Sequence, residues 1–218
     1  MILLRRRLLP VLAAFAVSFC ILPYAQAAKR IYFAGYMGLN SFPAMEFTET
    51  TTPADGELFM EDGISFAGAI GFKLTPQFRV EAELSRLSAD MNSVDIVNLG
   101  SFEVGGDLDS TIAMINLYYD FDFNWKKIKP FIGAGIGYGW HEGTIDDVGG
   151  LAVNTSSESS GYVWQVGGGV RYPISESLSF ISAYRYVDGA DLAFGDYEKI
   201  DTGSHEVRIG LSWDLPFE

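Results

Sequence analysis

The sequence is short of cysteine, histidine and basic residues, and each shortage excludes something. The single cysteine, Cys20, builds neither a disulfide framework nor a cysteine-based zinc site. Only two histidines, His141 and His205, are available for acid–base chemistry. Lys and Arg number 15 against 28 Asp and Glu, a formal net charge of −13. A chain so acidic lacks the basic surface that nucleic-acid backbones require. After the first thirty residues no run of about 18 apolar residues occurs, so a membrane-spanning helix is not expected there. What is present is 48% hydrophobic and 14% aromatic residues and 24 glycines, which a disordered acidic tail would not contain. The length of 218 residues allows one large domain or two small ones.

Residues 1–27 read as a cleaved secretory leader, and residues 28–218 as one mature domain. Arg5, Arg6 and Arg7 form the basic start, residues 8–22 the apolar stretch, and Ala25-Gln26-Ala27 the small-residue cleavage site. Pro10 and the short apolar run argue against a membrane anchor, and bulky Phe19 before Cys20 argues against lipid attachment. Cleavage removes three arginines and the thiol, leaving 12 basic and 28 acidic residues and a net charge of −16. A thiol-free chain suits an oxidising compartment.

The mature part alternates apolar and polar residues in eight segments: 31–40, 64–74, 78–87, 111–121, 131–141, 162–172, 178–187 and 205–215. Each has about the length a tilted strand needs to cross a bilayer. The connections 41–63, 88–110, 142–161 and 188–204 are long, and 75–77, 122–130 and 173–177 are short. Long loops on one side and short turns on the other describe an all-β, eight-stranded, antiparallel up-and-down transmembrane barrel. Pro43 and Pro53 fall in the first long loop; Pro76, Pro130, Pro173 and Pro216 fall at turns or strand ends.

One face of the segments carries Phe66, Ile70, Val80, Leu84, Ile136, Val166 and Ile209, with Tyr119, Trp140, Tyr172 and Trp213 near the ends. Aromatics so placed suit the two girdles of a membrane barrel. The other face carries Lys73, Arg79, Glu81, Glu83, Asp120, Arg171, Arg185, Glu206 and Arg208. A soluble, lipocalin-like barrel would turn the apolar face inward instead. The near balance of charge favours a narrow lumen, where an unpaired charge costs several kcal/mol.

The chain resembles the eight-stranded outer-membrane barrel family of the OmpA transmembrane domain, OmpX and the opacity proteins. The resemblance covers nearly all of 29–215. It rests on Phe66-Ala67-Gly68-Ala69-Ile70-Gly71-Phe72-Lys73-Leu74-Thr75-Pro76, Pro130-Phe131-Ile132-Gly133-Ala134-Gly135-Ile136-Gly137-Tyr138, Gly167-Gly168-Gly169-Val170-Arg171-Tyr172 and Tyr184-Arg185-Tyr186. The last strand is similar to the family's assembly signal, filled by Arg208, Gly210, Trp213 and Leu215; the chain ends Phe217-Glu218 where the family ends on an aromatic residue. The resemblance implies localisation in the bacterial outer membrane, contact with its lipid and lipopolysaccharide, handling by the barrel-assembly machinery, and a monomer. It also implies a carboxylate at Glu81 paired to a base across the lumen. Ile181 occupies the position where that base is sought, and Arg171 one where an acid is expected, so the network is rewired. Glu81 and Glu83 are then expected to pair with Arg79, Arg171, Arg185 or Arg208.

Eight strands leave a lumen that side chains nearly fill, so a wide pore is not expected. The glycines of 133–139 recur with period two and no helix follows them, so they do not form a phosphate cradle. Ser204, His205 and Glu206 are adjacent along a strand and face opposite sides, so no triad and no enzyme is expected. No cofactor or metal site is evident. Asn154-Thr155-Ser156 matches a glycosylation acceptor of little weight in a bacterial surface loop.

Of the 28 acids, 20 lie in the four long loops. They include Glu46, Glu49, Asp55, Glu57, Glu61 and Asp62 in the first, Asp146 and Asp147 in the third, and Asp191 and Asp196 in the fourth. Lys126, Lys127 and Lys129 hold the opposite charge in a short turn, and Arg86, on the lipid side at the outer rim, is expected to be an interfacial arginine, the alternative being a contact with lipopolysaccharide phosphates. The acidic surface is either a solvated, repulsive face or a site for a host or otherwise cationic ligand. It lacks the spacing of a strong Ca²⁺ loop. The expected function is a structural or surface-recognition barrel, antigen- or adhesin-like; the alternative is a narrow porin-like channel for ions or small solutes.

Overall fold

The computed structural model describes residues 31–49, 55–123, 127–189, 192–194, 197–200 and 203–215, with backbone alone at 45–49, 55, 192–194 and 197–200. The leader at 1–27 and Phe217 lie outside them. Among the described residues every regular element is a strand. They are β1 (Ile31–Ser41), β2 (Met45–Glu49), β3 (Asp55–Met60), β4 (Gly63–Lys73), β5 (Phe78–Ile96), β6 (Gly100–Asp120), β7 (Lys129–Val148), β8 (Leu151–Pro173), β9 (Leu178–Gly189), β10 (Leu192–Phe194), β11 (Tyr197–Ile200) and β12 (Ser204–Asp214).

Eight of these close a ring. β1 pairs with both β4 and β12, and the ladder runs β1-β4-β5-β6-β7-β8-β9-β12 with every pair antiparallel. Sequence dictates the facing. Along β1, Tyr32, Ala34, Tyr36 and Asn40 are buried, while Phe33, Met37 and Leu39 between them are exposed. A lumen this narrow must alternate bulk with absence of bulk. A Cβ at Gly71 would collide with the Tyr32 ring, and one at Gly133 with the Tyr118 ring on the neighbouring strand.

Two of the short turns share one construction. Leu74 N–H donates to the Phe78 carbonyl at 2.8 Å and Thr75 Oγ1 accepts from Phe78 N–H at 2.9 Å. The second turn repeats this with Ile174, Ser175 and Leu178, at 2.8 and 3.0 Å. A hydroxyl that bonds backbone three residues on stabilises a tight four-residue link.

The opposite side departs from the sequence expectation of long loops. β1, β4, β9 and β12 have 11, 11, 12 and 11 residues, which matches the ~9–11 that cross a bilayer. β5, β6, β7 and β8 have 19, 21, 20 and 23. The connections 88–110 and 142–161 are therefore tall hairpins, turning at 97–99 and 149–150. The first and fourth connections also contain strands. β3 pairs with the upper part of β5, β2 with β3, β11 with β2, and β10 with β11, while β10 lies against β8. The short strands thus stand over β1, β4, β9 and β12, and extend the wall as a cap.

The aromatic girdles fall where the facing requires. Phe78, Tyr119, Phe121 and Phe123 form a chain of ring contacts of 5.0–5.4 Å at the turn side. Tyr138 contacts Trp140 and Tyr162 at 5.2 and 5.8 Å at the other rim.

Candidate functional site

The lumen of the ring holds four arginines and four carboxylates, all buried: Arg79, Arg171, Arg185 and Arg208 with Glu81, Glu83, Asp120 and Glu206. They fall into two clusters. Toward the turn side, Arg79 pairs with Glu81 and, through Nε, with Asp120 at 3.3 Å; Arg171 Nη2 reaches the same Asp120 at 2.6 Å. Tyr32 and Tyr36 hydroxyls donate to Glu81 at 2.6 and 3.1 Å. The Arg79 guanidinium lies 4.0 Å from the Tyr118 ring centroid.

The second cluster sits deeper. Glu83 accepts from Arg185 at 2.7 Å and from Arg208 at 3.0 Å, and Arg185 also pairs with Glu206. Asn116 donates to Glu83 at 3.2 Å and Arg185 donates to Gln165 at 2.8 Å. Arg208 further donates to the Tyr118 hydroxyl at 3.0 Å and covers the Tyr36 ring at 4.1 Å. The clusters share Tyr36 and Tyr118, so the charges form one balanced network. Buried charges are tolerated only when paired and hydrogen-bonded in this way.

Lys73 faces the lumen at its half-buried mouth, where it reaches Asp214 at 2.6 Å and lies 5.7 Å over the Tyr32 ring; a long side chain at a strand end can keep its ammonium near water. Two expectations need correction. Arg171 pairs with Asp120 rather than with Glu81 or Glu83. Glu81 takes Arg79, one of the four bases expected for it, from its own strand, where the resemblance implied a base across the lumen. Ile181 packs at that position with Tyr32, Tyr36, Tyr118 and Phe131.

Above the network Ile112, Met114, Val163 and Val187 form an apolar collar. Over it Ser110 Oγ meets buried His141 Nδ1 at 2.7 Å. The void they border measures about 10 Å³, room for about one water. His205 faces outward and bonds the Tyr184 hydroxyl at 2.6 Å, while Ser204 and Glu206 face inward, so the three residues do not converge. Of the terminal motif, Arg208 faces the lumen, Gly210 abuts Tyr36, Trp213 is exposed on the outer face and Leu215 follows β12.

The cap has its own core of Leu58, Met91, Val94, Val104 and Leu108, with Phe42, Ile96, Ile145 and Val148 packed on it. Its outside carries Glu57, Glu61, Asp62, Asp90, Asp95, Glu103, Glu142, Asp146 and Glu158 exposed, with Asp107, Asp109 and Asp147 partly so. Asp191 and Asp196 lie outside the described residues, and the side chains of Glu46, Glu49 and Asp55 are not described. Arg86, at the rim, pairs with Asp109 at 2.8 Å. Burial first, then the carboxylates of Asp109, Asp146 and Asp90, push the Asp107 carboxyl above its ordinary value.

A search of the curated proteins finds no match. Among solved structures, OprG from Pseudomonas aeruginosa superposes with a TM-score of 0.57 at 12% identity, covering 86% of this chain and 97% of that one. Neisserial surface protein A superposes with a TM-score of 0.53 at 17% identity, over 84% and 96%. Residues 11–214 match the outer membrane protein beta-barrel domain. The match spans most of the chain, and the closed ring, lipid-facing belt and paired lumen accord with it: the chain belongs to the outer-membrane β-barrel family of the bacterial outer membrane.

Proposed function

We propose that this is a non-enzymatic surface-recognition protein, antigen- or adhesin-like, in which the barrel is a closed pedestal and the cap is the working part. One observation carries the reading: β5, β6, β7 and β8 each continue far beyond bilayer length into an ordered acidic cap with its own core. Strand length that the membrane does not require is explained by what it presents. A leader at 1–27 delivers the chain, the assembly machinery reads its last strand, and a monomer sits in lipid with Arg86 toward lipopolysaccharide.

The second reading is a narrow channel gated by the lumen pairs, and the polar lumen favours it. Planar-bilayer recording of the refolded mature chain decides between them. Silent membranes for the native protein and for Glu81→Ala support the pedestal; unitary steps that grow in Glu81→Ala support the channel. Cell adhesion should fall when both tall hairpins are cut back to the rim, and unchanged adhesion would sink recognition.

A further inference from the structure

At the far end of the cap two hairpin turns meet. Gly149 N–H donates to the Glu103 carbonyl at 2.8 Å, which joins the 149–150 turn to the flank of the 97–99 turn. Asn98, Gly149 and Gly150 adopt φ of 69°, 60° and 78°, so the turns are built by residues that tolerate that conformation. Beside them the crest is apolar. Val97, Leu99, Leu151 and Val153 are 58, 69, 75 and 49% exposed, and Phe102 is 37% exposed.

Bilayer lipid does not cover these side chains. About ten residues of β5 separate Arg86 at the rim from Val97, roughly 30 Å of strand. Nor are they scattered singly. Val148, paired to Leu151, packs on the cap core, and Val104, two residues from Phe102, belongs to it. The apolar inner face of the cap therefore continues into the open at its end. An exposed apolar patch with a polar rim marks an interaction site. Here the flanks have one sign: Asp95 pairs in register with Ser101, Asp147 Oδ1 accepts from Gly150 N–H at 3.3 Å, Glu103 and Asp146 stand on the same hairpins, and neither 87–125 nor 142–170 contains Lys, Arg or His.

We propose that this crest docks a cationic amphipathic polypeptide, whose apolar side chains cover Val97, Leu99, Leu151 and Val153 and whose flanking Lys and Arg meet the carboxylates. The inference rests on the surface-recognition reading and gives it a partner chemistry. Charge selects the occupant. A second copy would bring the same carboxylates face to face, and an anionic bilayer or sulfated polysaccharide would be repelled. An uncharged apolar ligand would leave the rim without a counterpart.

The test uses the refolded mature chain in zwitterionic nanodiscs and a fluorescent Leu/Lys amphipathic peptide read by anisotropy. A Leu/Glu peptide of the same pattern is the control. Saturable, salt-weakened binding of the Leu/Lys peptide is expected, with none of the Leu/Glu peptide. Leu99→Ser and Leu151→Ser should each weaken it about tenfold, as buried interface anchors do. Asp146→Asn with Asp147→Asn should weaken it and flatten the salt dependence. All variants must keep the heat-modifiable gel shift of the closed barrel. Absent binding, equal binding of both peptides, or undiminished binding by the serine variants overturns the proposal, as does dimerisation that buries the crest. The hairpin-truncation adhesion assay runs alongside. Adhesion lost on truncation with no peptide binding removes the cationic partner and leaves recognition standing, whereas adhesion unchanged on truncation removes both.

Discussion

Strand β5 passes through two regions whose polarities are reversed. In the membrane zone its inward residues are Arg79, Glu81, Glu83 and Ser85, and its outward residues are Val80, Ala82 and Leu84. In the cap the inward residues become Leu87, Ala89, Met91 and Val94, and the outward ones Arg86, Ser88, Asp90 and Asp95. Alternation of burial continues across the change. What changes is the medium outside. Lipid demands an apolar exterior and leaves polar groups to satisfy one another within. Water reverses the demand, and burial of apolar surface again drives folding. One strand thus obeys two solvents, and the crossover at Ser85 and Arg86 marks the boundary between them.

The sharpest way to break this comparison is to remove a charge from the lumen. Glu83→Ala leaves Arg208 without a carboxylate and should cost about 3–5 kcal/mol, read by urea unfolding in lipid. Ile209→Arg, on the outward face of β12, should cost about 2–4 kcal/mol. The control is Asp90→Arg on the outward face of the cap, which should move stability by no more than about 0.5 kcal/mol; equal costs would erase the boundary. Leu108→Ala in the cap core should cost about 2 kcal/mol. That cost should appear as faster hydrogen exchange above Arg86, with the membrane-zone amides unchanged. The smallest effect concerns pH. The raised Asp107 carboxyl binds its proton more tightly folded than unfolded, so the cap gains stability as pH falls through the folded value and loses it as pH rises. Asp107→Asn should flatten that slope in exchange measurements.

The membrane strands were legible because lipid enforces apolar–polar alternation, and their facing follows from which residues carry charge. The upper halves of β5 and β6 were not. At Arg86 the pattern inverts phase, so an eye following an apolar outward face sees the strand stop there. The upper part of β8 hides for another reason: 154–160 reads Asn, Thr, Ser, Ser, Glu, Ser, Ser, with no apolar residue to carry a period. The lumen charges were legible as a set. Their partners were not, because pairing depends on how distant strands are staggered around the ring. Glu83 meets residues 102 and 125 positions away, and Lys73 finds Asp214 only because both end at the same mouth. Ser110 lay one residue before the segment read from sequence, which concealed its bond to His141.

The filled lumen also fixes an order of events. Once the ring closes, the ion pairs and collar leave no passage for a polypeptide, and carboxylates do not cross hydrocarbon unaided. The residues of the cap must therefore reach the far side while the sheet is still open, and the pairing of β1 with β12 shuts the route behind them. The paired charges that fill the lumen thereby act as a one-way latch on the chain's own assembly, with the cap outside before the last seam zips.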